Sequence, residues 1–275
     1  MSGRVRLLTE SDRSDALELC ERHPYESLFL ASRIAHQGIE REDLGCPIWG
    51  YEVDGSLVAL CHDGVNLSVI GDEESHAPFA EYIGPRDQTA SIMGPSASVQ
   101  GIYRALIDRW GRSWGDPRQI RGNQPLFFID HDPILPPDLR VRLVNSDEEY
   151  PYYRAAVAMY EEEVGPLDCA ASYRRYISTL IASGMSFGAY ADGQFWFKSE
   201  IGCWYRDRAQ IEGVWMAPHL RGRRLAPSAF AQVLLLARRR FPKISLYVNS
   251  YNRVAYHLYL SVGMRQIATM STILY

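Results

Sequence analysis

The sequence predicts an α/β (α+β) chain built as two tandem domains, each a mixed central sheet flanked by helices. Three observations lead there. The chain has 275 residues, 47% hydrophobic and 23% charged, which is enough to bury two cores and long for a single domain. A proline-rich stretch, His131-Asp132-Pro133-Ile134-Leu135-Pro136-Pro137-Asp138, interrupts it near the middle; such a stretch continues neither a helix nor a central strand. Strand and helix signals recur in one order on both sides of it, without repetition of residue identities. The predicted domains are therefore residues 1–136 and 137–275.

In the first half, Arg4 to Leu8 alternates as a strand. Ser11 to Arg22 and Tyr25 to His36 have helical spacing, with Ser11 as a cap. Strands are expected from Ile48 to Val53, Leu57 to Cys61 and Val65 to Ile70, joined by Asp54-Gly55 and Asp63-Gly64 turns. A short helix from Ser75 to Ile83, a strand from Thr89 to Met93, a helix from Ser96 to Trp110 and a strand from Pro125 to Ile129 complete it.

The second half repeats that order. Arg140 to Val144 is a strand; Asn145-Ser146-Asp147-Glu148 caps a helix reaching Glu163, and a second helix runs from Ala170 to Ala182. Strands follow from Phe187 to Ala191, Gln194 to Trp204 across an Asp192-Gly193 hairpin, and Ala209 to Met216. A long helix from Arg223 to Phe241 stops at Pro242, and Ile244 to Val248 is a buried strand. The last helix spans Asn252 to Val262 between its Asn252 cap and Gly263, and two short strands end the chain.

Composition excludes several classes. The longest apolar stretch, Phe230 to Ala237, is broken by Gln232 and falls far below the roughly 18 residues of a membrane span. Nothing at the N-terminus reads as a signal peptide. Five scattered cysteines, Cys20, Cys46, Cys61, Cys169 and Cys203, form no Cys-x-x-Cys pair, so neither a disulfide framework nor a metal site is expected, and a cytoplasmic location fits. Residues 1–138 carry 12 basic against 22 acidic side chains, net −10; residues 139–275 carry 17 against 11, net +6. Nucleic acid, a membrane surface or a phosphorylated cofactor are the usual partners of such a basic half.

The chain has no Gly-x-x-x-x-Gly-Lys, Gly-x-Gly-x-x-Gly or His-Glu-x-x-His motif. Gly184-Met185-Ser186-Phe187-Gly188 matches a nucleophile elbow in letters only, because a helix leads into a strand there. More telling is the run after Met216, where Arg221-Gly222-Arg223-Arg224-Leu225-Ala226 opens onto a helix with Pro227 in its first turn. Unpaired amides and the positive end of the helix dipole make such a junction an anion site, and the arginines reinforce it. A diphosphate would fit it.

A second pattern, Asn252, Ala255, Tyr259, Gly263 and Met264, follows the first at a set distance. Together with Arg221, Gly222, Arg224 and Ala226, it resembles the signature of the GCN5-related N-acetyltransferase (GNAT) superfamily: Arg-Gly-x-Gly-x-Ala/Gly, then Asn-x-x-Ala, a tyrosine and Gly-Phe. Arg224 stands where that signature has its second glycine, and Met264 where it has phenylalanine. A side chain at 224 must point outward or make its own phosphate contact.

The resemblance implies acetyl-CoA as donor, no metal, and a primary amine as acceptor, on a small molecule or a protein. It implies that the backbone of Val214, Trp215 and Met216 pairs with the pantetheine arm, and that the amides of Arg223, Arg224, Leu225 and Ala226 hold the pyrophosphate beside Arg221, Gly222 and Asn252. An amide near Val214 would polarise the thioester carbonyl, and Tyr259 would donate a proton to the departing thiolate. By helical spacing Ala255, Tyr259 and Val262 share one face. Glu212, on a strand face with Val214 and Met216 by the period-two rule, is the expected general base, with Glu200 as rival. Glu161-Glu162-Glu163 would favour a cationic acceptor or form a solvated face. His219 and His257 read as surface or packing residues. Arg238-Arg239-Arg240 complements a helix C-terminus, so neither nucleic acid nor membrane is an expected partner.

The first half lacks both motifs, and its corresponding turn, Gly71-Asp72-Glu73-Glu74, is acidic. The arrangement resembles actinobacterial proteins in which a degenerate acetyltransferase-like domain precedes a complete one. That domain would cover the acceptor site or mediate assembly, a homodimer included. The expected activity is an acyl-CoA-dependent N-acyltransferase; the alternative is an acyl-CoA sensor that has lost catalysis.

Overall fold

The structure is a computed structural model and describes residues 3–167 and 169–275. It divides into two compact units. The first reaches to Leu126 and also takes Tyr247–Tyr251 and Ile267–Tyr275; the second holds Phe127–Leu246 and Asn252–Gln266.

The first unit contains β1 (Arg4–Leu7), α1 (Arg13–Glu21), α2 (Leu28–Gln37), α3 (Arg41–Leu44), β2 (Ile48–Val53), β3 (Ser56–His62), β4 (Asn66–Gly71), α4 (His76–Ile83), β5 (Ser91–Pro95), α5 (Ser96–Trp110) and most of β6 (Gln119–Ile129). Strands β1 to β4 are antiparallel neighbours, and β4 pairs parallel with β5. Asp54 and Gly55, at φ 51° and 79°, make the β2–β3 turn; two left-handed residues match the twist of a tight hairpin. The single turn α3 has no counterpart in the expected elements, because four residues are too few for a periodic signal.

Two short closing strands were expected. Instead, one strand, β12 (Arg265–Leu274), ends the chain, and its residues Met270 to Leu274 pair antiparallel with Pro95 to Ser91 of β5. Ile273 joins Phe79, Leu106 and Trp114 in the first unit's core. The Tyr275 hydroxyl donates to the Trp114 carbonyl at 3.0 Å, and the two rings meet edge to face at 5.7 Å. The compact units therefore differ from a cut of the chain at residue 136, which leaves β12 apart from the sheet it extends.

The second unit contains β7 (Val141–Leu143), α6 (Glu149–Glu163), α7 (Ala170–Ala182), β8 (Ser186–Ala191), β9 (Gln194–Tyr205), β10 (Arg208–Met216), α8 (Ala226–Arg238), most of β11 (Lys243–Tyr247) and α9 (Arg253–Ser261). Its strands lie in the order β11-β10-β9-β8-β7, antiparallel except for the parallel β10–β11 pair. Tyr152 and Ala156 of α6 pack with Ile177 and Ile181 of α7 and Phe195 of β9. Phe230, Val233 and Leu234 form the buried stripe of α8. This helix starts at Ala226 rather than at the expected Arg223, since Gly222 and Arg224 at φ 76° and 58° cannot be helical.

Replacing Ile273 by alanine removes a side chain that is 2% exposed, and its loss is expected to cost about 2–5 kcal/mol. The check is urea denaturation followed by amide exchange in β5. An unchanged midpoint would mean that β12 contributes nothing to this core.

Candidate active site

The site in the second unit begins where two strands part. Arg208, Ala209 and Gln210 of β10 pair with Lys243, Ile244 and Ser245 of β11, and the pairing ends there, although β10 continues to Met216. Beyond Gln210 the backbone edge of β10 on that side has no strand partner among the described residues. At the opening lies a cavity of ≈ 690 Å³. Val214, Trp215 and Met216 line it from β10, Arg221, Gly222, Arg224 and Leu225 from the following turn, Ala226 from the start of α8, and Asn252, Ala255 and Tyr259 from α9 and its cap. Arg223 and Glu212, also expected at the site, are not part of this lining. A cavity of ≈ 810 Å³ lies between α4 and α5 of the first unit. We place the site in the smaller one, where the open edge, the turn and Tyr259 converge.

The turn is built for an anion. Gly222 and Arg224 are both left-handed, a conformation that turns successive amides toward one point. For arginine this costs about 1 kcal/mol. The following helix has no side-chain cap at Leu225, so its first amides and dipole face outward. Among the described residues neither Arg223 nor Arg224 has an ion-pair partner. Arg221 does: its Nε donates to the Met216 carbonyl at 2.9 Å, and its guanidinium pairs with Glu162 at 2.7 Å. Trp215 Nε1 donates to the same carboxylate at 3.2 Å. Glu162 of the acidic run thus ties α6 to the turn, and Glu163 lines the cavity.

On α9, Asn252 Oδ1 accepts from the Ala255 amide at 3.1 Å, the cap expected from its position. Tyr259 is 6% exposed and held between Phe127 and Phe230, at ring distances of 5.8 and 5.2 Å. Burial, with the charge of Glu163 added, pushes its phenol above the usual range. His257, exposed in keeping with its expected surface or packing role, also lines the cavity, and so does Phe197, which the sequence left undistinguished in an apolar strand. His219 does not.

Glu212 requires a correction. The period-two rule put it on one strand face with Met216, but β10 carries a bulge between Glu212 and Trp215, with Gly213 at φ 60°. Glu212 opposes Glu200 and Trp215 opposes Lys198, three residues on β10 against two on β9. The extra residue turns Met216, opposite Phe197, to the other face from Glu212. Glu212 lies over Gly202 and accepts from Gln210 Nε2 at 2.8 Å. Its dense surroundings raise its pKa, Gln210 opposes the shift, and Glu200 adds to it. Water also reaches the exposed side of this carboxylate. Glu200, the rival base, is buried, with Lys198 Nζ at 2.6 Å and the Tyr152 hydroxyl at 2.8 Å. Arg238 and Arg240 are occupied by carbonyl groups, of Pro242 and Asp130 and of Ser183 respectively. Among the described residues, no cluster of three or more His, Cys, Asp or Glu is placed to hold a metal. Nor is any helix among them long and apolar enough to cross a membrane.

Residues 149–264 match the Acetyltransferase (GNAT) family. Residues 46–152 match a domain of unknown function, DUF4081, and no curated protein matches the sequence. Among solved structures, a GCN5-related N-acetyltransferase from Sphaerobacter thermophilus is similar at 18% identity and TM-score 0.60, over 98% of this chain and 95% of its own. A GNAT-family acetyltransferase from Colwellia psychrerythraea is similar at 14% and 0.58, over 99% of each chain. A tandem GNAT protein from the clavulanic acid biosynthesis pathway is similar at 12% and 0.56, over 98% of each. At such identities the shared property is the fold, over nearly the whole of this chain.

Replacing Arg224 by glycine is expected to relieve the left-handed strain, stabilising the chain by about 1 kcal/mol and raising Tm by about 2–4 °C. Calorimetry checks this; a lower Tm would mean that the arginine side chain holds the turn in place.

Proposed function

We propose that the chain is an acyl-CoA-dependent N-acyltransferase that transfers acetyl from acetyl-CoA to a primary amine by direct attack, with 137–275 as the acyltransferase domain and 1–136 as a degenerate copy lacking the CoA motif. One observation carries this: an unpaired strand edge, an amide-lined arginine turn and a buried tyrosine meet in one cavity. Each meets a different part of a long polyanionic thioester. The turn from Arg221 to Ala226, with Asn252 and α9 beside it, would hold the pyrophosphate. The free edge of Val214 to Met216 would pair with the amide-bearing arm as a strand pairs with a sheet. When bound, acetyl-CoA supplies an activated acyl group.

The remaining work falls to side chains and backbone. An amide near Val214 would stabilise negative charge on the acyl carbonyl oxygen. Glu212 would take the proton of the attacking amine, directly or through water; its raised proton affinity suits a base. Tyr259, kept protonated by burial, would return a proton to the leaving sulfur. Five cysteines without a disulfide among them support a reducing, cytoplasmic setting. A second reading, acyl-CoA binding without turnover, is favoured by Arg224 at the glycine position.

The test is thiol release from acetyl-CoA with a panel of amines. Tyr259→Phe is expected to lower kcat about 100-fold with little change in KM for acetyl-CoA. Saturable binding without turnover for any amine would favour the second reading. Because a base acts only when ionised, kcat should fall as pH drops through the Glu212 pKa, at a value above the ordinary glutamate range. Glu212→Gln should abolish that limb; its survival in the variant would remove Glu212 from the base role.

A further inference from the structure

We propose that the buried cluster Lys198–Glu200–Tyr152 is a positioning device, which sets the Gly213 bulge of β10 and with it the Val214 backbone that the proposed acyl transfer uses. The inference rests on that acyl-transfer reading for its catalytic consequence, though not for its structural part.

Lys198 is one of only two lysines in the chain, and its side chain is 0% exposed. The run around it, Phe195-Trp196-Phe197, is apolar. Its Nζ lies 2.6 Å from Glu200 Oε2, itself on a side chain only 4% exposed, and 5.5 Å from the centre of the Tyr152 ring. The Tyr152 hydroxyl is 2.8 Å from Glu200 Oε2 and 3.0 Å from the Ser199 carbonyl. The ion pair is close but not aligned as a hydrogen bond, and Nζ has no aligned acceptor among the described residues. Such an arrangement is a poor source of stability. Burying two charges costs several kcal/mol each, and apolar residues of the same volume often serve a core as well or better. Some other constraint accounts better for a charge pair here.

The register supplies that constraint. Glu200 opposes Glu212 and Lys198 opposes Trp215, so the two charged residues are the β9 partners on either side of the bulge. Their heads rest on the bulge itself. A Cβ at Gly213 would collide with Glu200 Oε1 and sit 2.7 Å from Lys198 Nζ. The pair thus fills the space where any other residue would carry a side chain, at the one β10 position that is left-handed. Moving the bulge by a residue would put Glu212 or Val214 in the place of Gly213 and drive a side chain into two buried charges. Tyr152, fixed in the α6–α7 core, ties the pair to the helix layer.

Lys198→Met keeps the length and removes the charge. In the full chain without ligand, amide exchange at Gly213, Val214 and Trp215 is expected to accelerate while exchange in the β1–β2 pair stays as it was. With acetyl-CoA and the best amine of the panel, kcat should fall at least about tenfold, as displacement of a reacting geometry does, with KM for acetyl-CoA within about twofold. Lys198→Arg should restore part of both. If Lys198→Met does not fold, Tyr152→Phe, which removes one oxygen, should loosen the same amides. Unchanged exchange at residues 213–215 in a folded variant overturns the proposal, and so does faster exchange with unchanged kcat. If the parent protein turns over no amine, the acyl-transfer reading fails. The exchange result then still decides whether the cluster holds the bulge.

Discussion

The parallel pairing between β10 and β11 lasts three residues, and what lies beyond it depends on that early end. Backbone donors and acceptors inside a sheet are normally satisfied by the neighbouring strand. Past Gln210 the β11 side of β10 has no such neighbour among the described residues, and the strand runs on to Met216. The chain then passes through a 3-10 turn, Pro218–Leu220, and through Gly222 and Arg224 into α8, so an open amide edge and a helix N-terminus border one cavity. Tyr259 comes to the same cavity from α9, whose start is fastened by the Asn252 cap. One constraint on strand pairing thus gathers groups from segments far apart in the sequence.

The bulge adds a second condition. It separates the faces of Glu212 and Met216, while the cavity draws on both, taking Trp215 from the Glu212 face and Met216 and Phe197 from the other. The bulge thus sets which side of β10 Glu212 and Met216 each present. A regular strand would have put both on one side.

The electrostatics follow the same division. The second half is basic by sequence, yet many of its arginines are spent locally: Arg140 on Asp138, Arg142 on Glu148, Arg221 on Glu162 and Arg238 on Asp132. What remains at the turn is the pair Arg223 and Arg224, beside uncapped helix amides. The attraction for a polyanion is thus local to the turn rather than a property of the half.

Much of this was legible in the residues. Helices from Ser96 to Trp110 and Ala170 to Ala182 end where spacing and flanking residues place them, the hairpins at Asp54-Gly55 and Asp192-Gly193 turn as expected, and Asn252 caps its helix. These features depend on neighbours a few positions away, so local chemistry suffices to read them. The signature residues from Arg221 to Ala226 and from Asn252 to Tyr259 were readable for the same reason. Tertiary structure alone decided the rest. The pairing of β12 with β5, the bulge that turns Glu212 from Met216, the burial of Lys198 against Glu200 and Tyr152, and the capture of Arg221 by Glu162 each need a partner distant in the chain. Local spacing carries no information about which distant residue arrives opposite, and that determines where a side chain points and whether its charge is free.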